Sequence, residues 1–166
     1  AAATSRALRM LPQDEYPARP GKGYEMGAEV AKEGIDLGIF VRDSEAALKF
    51  YRDTLGLEHV RDSPAGGGGT MHRLMCGDSM IKVIALDDVP ETANPPGGPS
   101  DATGMRYWTI SVSNLDELVA ACEAAGYNVP VPPREVSPES RPNTRIAFVE
   151  DPDGNRVELL EDTSPR

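Results

Sequence analysis

The chain is poor in cysteine, histidine and aromatic residues. Its 166 residues include two cysteines, two histidines and 5% aromatic side chains. Cys76 and Cys122 lie far apart and form no CxxC pair. Their spacing supports neither a disulfide framework nor a zinc cluster and is typical of a reducing compartment. No apolar run approaches the length that spans a bilayer. These absences predict a cytoplasmic protein with no membrane partner.

Basic residues are also scarce relative to acidic ones. The 17 Lys and Arg residues are outnumbered by 27 Asp and Glu residues, which gives a formal net charge of −10. A surface this acidic repels phosphate, so nucleic acid is excluded as a partner. The length and the 39% apolar content are sufficient for one compact domain with a substantial core.

The first 33 residues differ from the rest of the chain. Residues 1–13 contain Arg6 and Arg9 but no acidic residue, a composition that partly resembles an organellar import sequence. Prolines and glycines between residues 12 and 23 argue against regular structure there. We predict that residues 1–33 form an N-terminal extension, disordered or helical, outside the folded domain.

From residue 34 onwards, one pattern of elements occurs twice. Apolar spacing in the first half predicts a strand, a helix and three strands at residues 35–41, 45–55, 57–61, 70–76 and 80–86. A linker rich in Pro, Gly, Ser and Asn follows. The second half repeats the order at residues 107–112, 115–125, 127–131, 145–149 and 156–160, with a long loop at 132–143 as a candidate lid. Ile39 aligns with Ile110, and Val41 with Val112, at one offset (110 − 39 = 71). Such a repeat predicts two similar modules that close on one another.

The last two strands are joined by a tight turn. Pro152 fixes φ at the first central position of Asp-Pro-Asp-Gly, and Gly154 permits a positive φ where the chain reverses. Side chains alternate along the strand that follows, so Val157 and Leu159 share one face and Glu158 takes the other. Alone, Glu158 would be expected to face water.

Two stretches resemble the vicinal oxygen chelate superfamily of glyoxalases, bleomycin-resistance proteins and extradiol dioxygenases. They read GIDLGIFVRDSEAALKFYRDTLGLE and FVEDPDGNRVELLE. The resemblance covers residues 34–162 and implies an α+β fold of two βαβββ modules that form a curled mixed sheet around a pocket. Module one spans residues 34–89, the linker spans 90–105 and module two spans 106–162. The resemblance also implies a small-molecule ligand and a homodimer.

The resemblance places metal ligands on the first and last strand of each module. The four matching positions here are Asp36, Lys82, Tyr107 and Glu158, with Ile81 in place of Lys82 if the register slips by one. Only Glu158 keeps the usual ligand type. An ammonium cannot coordinate a cation and repels it, so we favour no metal cofactor. Lys82 would instead compensate the two carboxylates, and a bound divalent metal would be held by Asp36 and Glu158.

Four further residues are candidate substrate ligands. His72 lies on the third predicted strand, where it points either into the pocket or to solvent, and the adjacent Arg73 suits an anionic group. Phe40 and Thr109 share the pocket faces of the two first strands with Asp36 and Tyr107, respectively.

Two functions fit this set of residues. In the first, a lyase or isomerase acts on a small carbonyl or carboxylate compound, with Glu158 as base, Lys82 and Tyr107 stabilising the enolate oxygen, and Asp36 orienting Lys82 or serving as a second acid/base. In the second, the protein binds a small molecule without chemistry, as bleomycin-resistance proteins do. A pocket lined mainly by aromatic and apolar groups, with Glu158 paired to Lys82, favours binding, whereas an accessible, unpaired Glu158 with a raised pKa favours catalysis. A structural ion cluster is the third possibility.

Overall fold

A computed structural model describes residues 30–164. Most of the predicted extension at residues 1–33 therefore lies outside the described residues. Every strand and helix assigned below belongs to one compact unit, Lys32–Arg166. Within the described part of the chain, no helix is long and apolar enough to cross a membrane.

The unit contains two four-stranded mixed sheets, one per module. In module one the strand order is β1-β4-β3-β2, and in module two it is β5-β8-β7-β6. The first sheet consists of β1 (Asp36–Val41), β2 (Glu58–Pro64), β3 (Thr70–Cys76) and β4 (Ser79–Ala85). The second consists of β5 (Tyr107–Val112), β6 (Val131–Glu135), β7 (Thr144–Glu150) and β8 (Arg156–Asp162). The predicted pair of βαβββ modules is confirmed.

Each module carries one helical segment between its first two strands. Helix α1 (Ser44–Leu48) starts at the Asp43 cap, whose carboxylate accepts hydrogen bonds from the amides of Glu45 and Ala46 at 2.9 and 3.0 Å. It continues as a π-helical segment, Lys49–Thr54, that contains the fully buried Phe50 and Tyr51. Helix α2 (Leu115–Ala124) is the counterpart in module two.

Alternation along the strands gives each sheet two distinct faces. On β1, Leu37, Ile39 and Val41 are buried, whereas Asp36 and Phe40 are exposed. The buried set joins the helices and the matching strand residues of module two in one hydrophobic core. We call the opposite side of each sheet, which points away from this core, the open face.

The prediction for β6 was wrong. The sequence placed a strand at residues 127–131 and a loop at 132–143, but the strand is Val131–Glu135. Tyr127 and Val129 instead pack against the core as non-strand residues. β6 is an edge strand with a register shift between Val131 and Arg134, so the missing N–H groups of its two prolines are tolerated.

The turn between β7 and β8 is held by a buried carboxylate. Asp151 accepts hydrogen bonds from the amides of Asp153 and Asn155 at 2.9 and 2.8 Å, and Gly154 has φ 79°. The hydroxyl of Tyr51 donates to Asp151 at 2.7 Å, which ties the helical segment of module one to module two. The turn therefore fixes the register of β8 and joins the modules.

Candidate functional site

Glu158 lies on the open face of module two with a single hydrogen-bond partner among the described residues. Its Oε2 accepts a hydrogen bond from Thr109 Oγ1 at 2.6 Å. The two residues are register partners on the parallel strands β5 and β8, so their side chains share one face. The hydroxyl orients the carboxylate and leaves its other oxygen available.

The surroundings of Glu158 are largely apolar. Phe148 is its register partner on β7, and the Phe148 ring meets Tyr107 edge-to-face with centroids 5.2 Å apart. Ile146, Phe148 and Leu160 form a small buried cluster on the same face. Apolar side chains therefore lie beside the carboxylate on this face.

The open face of module one carries a charge pair. Lys82 Nζ lies 3.0 Å from Asp36 Oδ2, and Lys32 contacts the other oxygen of the same carboxylate. The hydrogen bonds from Lys32 and then Lys82 outweigh desolvation and hold the pKa of Asp36 below its ordinary value of 3.8. Asp36 is thus in contact with Lys82, and its role in orienting Lys82 stays a prediction.

Of the four predicted positions, only Asp36 and Lys82 are in polar contact among the described residues, and Tyr107 and Glu158 lie on the other module. Within residues 30–164, no hydrogen bond or ion pair joins Asp36 or Lys82 to Tyr107 or Glu158. Lys82 therefore does not neutralise Glu158 within one chain. The chain presents a cationic half-site on module one and a carboxylate half-site on module two.

Arg73 and His72 point to opposite faces of β3. Arg73 is the register partner of Lys82 on the open face, and its guanidinium donates a hydrogen bond to Ser63 Oγ at 2.5 Å. His72 pairs in register with the fully buried Val83, which places it on the helix side. The expectation that His72 points into the pocket or to solvent is corrected by this register, because its side chain is buried beside Asp62 instead.

A small cleft of about 140 Å³ separates β1 from β5. Phe40 and Tyr107 line it, and both are exposed, by 57% and 43%. Arg106 Nε and Trp108 Nε1 belong to residues that border the cleft, and both atoms are buried without a hydrogen-bond partner in the described region. Unpaired donors at a cleft suit a ligand that carries acceptor oxygens.

The donor set does not fit a metal at the superfamily position. Lys82 occupies one oxygen of Asp36, and its ammonium has no lone pair to offer a cation. Thr109 holds one oxygen of Glu158, and Tyr107 is a weak ligand while it keeps its proton. These residues supply at most two carboxylates from different modules, fewer than a divalent metal site requires.

Two site residues were missed from the sequence. Lys32, assigned to the extension, contacts Asp36, but neither residue lies in a helix, so the i, i+4 spacing of this pair gave no signal. Phe148 was assigned only to a strand. Counting across the turn from Glu150 and Arg156, which are register partners, places Phe148 opposite Glu158.

The family model of the Glyoxalase/Bleomycin resistance protein/Dioxygenase superfamily matches residues 35–159. The chain belongs to this superfamily. It is 42% identical over 122 residues to a lactoylglutathione lyase of Escherichia coli O157:H7, covering 74% of this chain and 87% of that protein. It is 30% identical over 134 residues to a lactoylglutathione lyase of Haemophilus influenzae, covering 76% and 90%.

Solved structures of the superfamily share the fold. A glyoxalase family protein from Bacillus cereus superposes with a TM-score of 0.68 over 82% of this chain and 97% of that chain, at 16% identity. At that identity the likeness establishes the architecture alone. Superfamily membership covers lyases, isomerases, dioxygenases and binding proteins, so the reaction has to be argued from the site.

Proposed function

We propose that this protein is a lyase or isomerase of the glyoxalase type, acting on a small carbonyl compound with Glu158 as the base. The observation that carries the proposal is the state of Glu158. Its carboxylate has a hydroxyl partner, Thr109, and no cationic partner among the described residues, and it lies in an apolar surrounding. This is the unpaired arrangement that favours catalysis over binding.

Each step of the proposed reaction is assigned to a side chain. Glu158 removes the proton next to the substrate carbonyl, while the Thr109 hydroxyl holds the carboxylate in position. The Tyr107 hydroxyl and the Lys82 ammonium donate to the developing enolate oxygen. Asp36 aligns Lys82 through the contact of 3.0 Å. The protonated Glu158 then returns the proton to the neighbouring carbon, which completes an isomerisation, or gives it to a leaving group that the enolate expels, which completes an elimination.

We infer that the two half-sites meet in a homodimer. Asp36 and Lys82 lie on one module and Tyr107 and Glu158 on the other, with no polar contact between the pairs in the described chain. A two-fold dimer would set module one of each subunit against module two of its partner. The exposure of the Phe40 side chain supports this, because a large apolar side chain is better covered. The molar mass of the purified chain in solution tests the dimer directly.

The substrate class follows from the polar groups around the half-sites. Arg73 lies beside Lys82 on the open face, and Arg106 and Trp108 are among the residues that line the cleft. Cationic and N–H donor groups recognise a carboxylate or a second carbonyl oxygen. We therefore propose a small carbonyl acid. The relatives' name makes S-lactoylglutathione one compound to include among the substrates tested.

Proton exchange tests the assignment of Glu158. The protein is incubated in deuterated water with a panel of carbonyl acids and with S-lactoylglutathione, and deuterium incorporation is followed by NMR. We expect Glu158→Gln to lower the exchange rate by about 10² to 10⁴. Glu139→Gln, in an exposed loop, is the matched control and should exchange at the wild-type rate. Equal rates in Glu158→Gln and the wild type would refute the base assignment.

The second candidate function is binding without chemistry, as in bleomycin-resistance proteins. It is favoured by the aromatic pair Phe40 and Tyr107 at the cleft, which suits stacking on a flat ligand. Under this function, no compound of the panel exchanges, and Tyr107→Ala weakens ligand binding while Glu158→Gln does not. The two functions thus give opposite results for Glu158.

A further inference from the structure

Both histidines of the chain converge on one carboxylate, away from the half-sites described above. His59 Nε2 and His72 Nδ1 lie 2.6 and 2.7 Å from the same oxygen, Asp62 Oδ1. The potential ligand atoms of these three residues all fall within 4.8 Å of one another. The cluster lies on the helix side of the first sheet, because Asp62 pairs in register with His72, the residue opposite the buried Val83.

A β-bulge creates this convergence. Residues 59 and 62 are separated by an odd number of positions, so a regular strand would direct them to opposite faces. The register of β2 shifts between His59 and Arg61, and Val60 is the extra residue. The shift brings His59, the partner of Leu74, to the same face as Asp62. Bulges that redirect a side chain are common beside functional sites.

Two imidazoles and a carboxylate form a ligand set that suits a divalent transition metal. A tetrahedral zinc site with bonds of roughly 2.0–2.1 Å keeps its ligands roughly 3.3 Å apart. Asp62 Oδ1 would therefore need to move away from the nitrogens of His59 and His72 by roughly 0.6–0.7 Å. Asp62 is able to make that movement, because its side chain is 51% exposed.

The exposure of the cluster favours a site with an open coordination position. The side chains of His72, His59 and Asp62 are 9%, 27% and 51% exposed, so the cluster is buried on one side and reaches solvent on the other. Three protein ligands and a water complete four-coordination. The nearby Arg52 already pairs with Asp53, at 2.6 Å, and the chain carries a net charge of −10, so the electrostatic setting does not oppose a cation.

We propose that His59, Asp62 and His72 form a divalent transition-metal site that links edge strand β2 to β3. The site is separate from Glu158 and does not depend on the proposed function. His72 Nε2 is buried without a partner in the described chain. A metal on Nδ1 leaves the ring proton on this unpaired Nε2, so we expect weaker binding than in zinc sites whose histidines are supported by an acceptor.

Titration of the chelator-treated full chain with Zn²⁺ tests the proposal. We expect one Zn²⁺ per chain at this site, and His59→Gln and Asp62→Asn should each weaken binding by more than about tenfold, since loss of a mere supporting partner costs about 10–100-fold. Zn²⁺ should also raise the melting temperature of the wild type more than that of either variant. Co²⁺ should broaden the NMR signals of both histidine rings, a readout that needs no enzymatic activity.

Two control variants separate this site from other acidic groups. Glu58→Gln removes a negative charge from the same strand, and its register partner Met75 lies outside the His59, Asp62 and His72 cluster. Glu158→Gln removes the superfamily ligand position. Both should keep the wild-type affinity for Zn²⁺. The proposal is overturned if the wild type binds no Zn²⁺, if His59→Gln binds as tightly as the wild type, or if Glu158→Gln is the variant that loses the metal.

Discussion

The two modules have the same arrangement of strands but present different chemistry on their open faces. On module one, Lys82 is held by Asp36, and Lys32 also contacts that carboxylate, so two ammonium groups share one carboxylate. On module two, Glu158 has the Thr109 hydroxyl as its partner and lies opposite Phe148 in an apolar surrounding. Lys82 and Glu158 occupy matching positions on the last strands of their modules. The duplicated position is thus a cation on one open face and a carboxylate on the other.

The largest expected effect comes from inactivating one open face in each of two chains and then mixing the chains. Lys82→Ala and Glu158→Gln should each lower turnover, by about 10² to 10³ for the oxyanion donor and by about 10² to 10⁴ for the base. If the half-sites meet across a dimer, mixing the two variants with subunit exchange creates one intact site per heterodimer. Activity should then rise to roughly a quarter of the wild-type value, because about half of the dimers are mixed and each holds one intact site.

Two controls complete the mixing experiment. Each variant after the same exchange treatment, without the other, should stay inactive. A chain that carries both Lys82→Ala and Glu158→Gln should restore no activity to either single variant. Activity that stays at the level of the single variants after exchange would show that the two faces do not combine between subunits.

The modules and their faces were predictable because local patterns and the repeat agree. Alternation on β1 separates Leu37 and Ile39 from Asp36, and the turn at Gly154 sets the register that places Glu158 on the open face. β6 was not predictable in this way. Its prolines indicate a loop, and only its place at a sheet edge makes them acceptable in a strand.

The pairing of the site residues depends on contacts that the sequence does not encode locally. The open faces of the two modules were expected to enclose one pocket with Lys82 between Asp36 and Glu158. The shared core instead joins the helix sides of both sheets, so the two pairs remain without a polar contact in the described chain. The orientation of His72 was wrongly predicted for a different reason. Strand alternation shows that neighbouring side chains point to opposite faces, but it does not show which face His72 takes. The pairing of His72 with Val83 decides this.

Truncating one phenylalanine on each side of the first sheet sharpens the comparison between core and open face. Phe50 is fully buried and contacts the rings of Tyr51 and Tyr127, whereas Phe40 on the open face is 57% exposed. In the dilute, monomeric chain, Phe50→Ala should lower the free energy of unfolding by about 3–5 kcal/mol, and Phe40→Ala by no more than about 0.5 kcal/mol. Urea denaturation followed by circular dichroism measures both. In the proposed dimer Phe40 is covered, so its loss should grow with protein concentration; equal losses in the monomeric chain would contradict the exposure of Phe40.

The smallest expected effect is the contribution of Asp36, on the open face of module one, to the stability of the protein in acid. Hydrogen bonds from Lys32 and then Lys82 lower its pKa in the folded state, so it contributes stability at pH values above its ordinary pKa of 3.8. That contribution is lost as the pH falls through the lowered folded-state pKa. Because Asp36 is exposed to solvent, salt should reduce the contribution further. The stability difference between the wild type and Asp36→Asn should therefore shrink below pH 3.8 and at high salt.

Asp151 supplies the contrasting case at the junction of the modules. Burial raises its pKa in the folded state despite the hydrogen bonds from Asn155 and Tyr51, so its contribution has the opposite sign. The stability it supports is fully present below the ordinary value of 3.8 and declines as the pH rises towards the folded-state pKa. Asp151→Asn should remove the decline in unfolding free energy as the pH rises above 3.8. Asp36→Asn should remove the decline in unfolding free energy as the pH falls below 3.8. Parallel curves of unfolding free energy against pH for the wild type and both variants would contradict the two opposite environments assigned to these carboxyl groups.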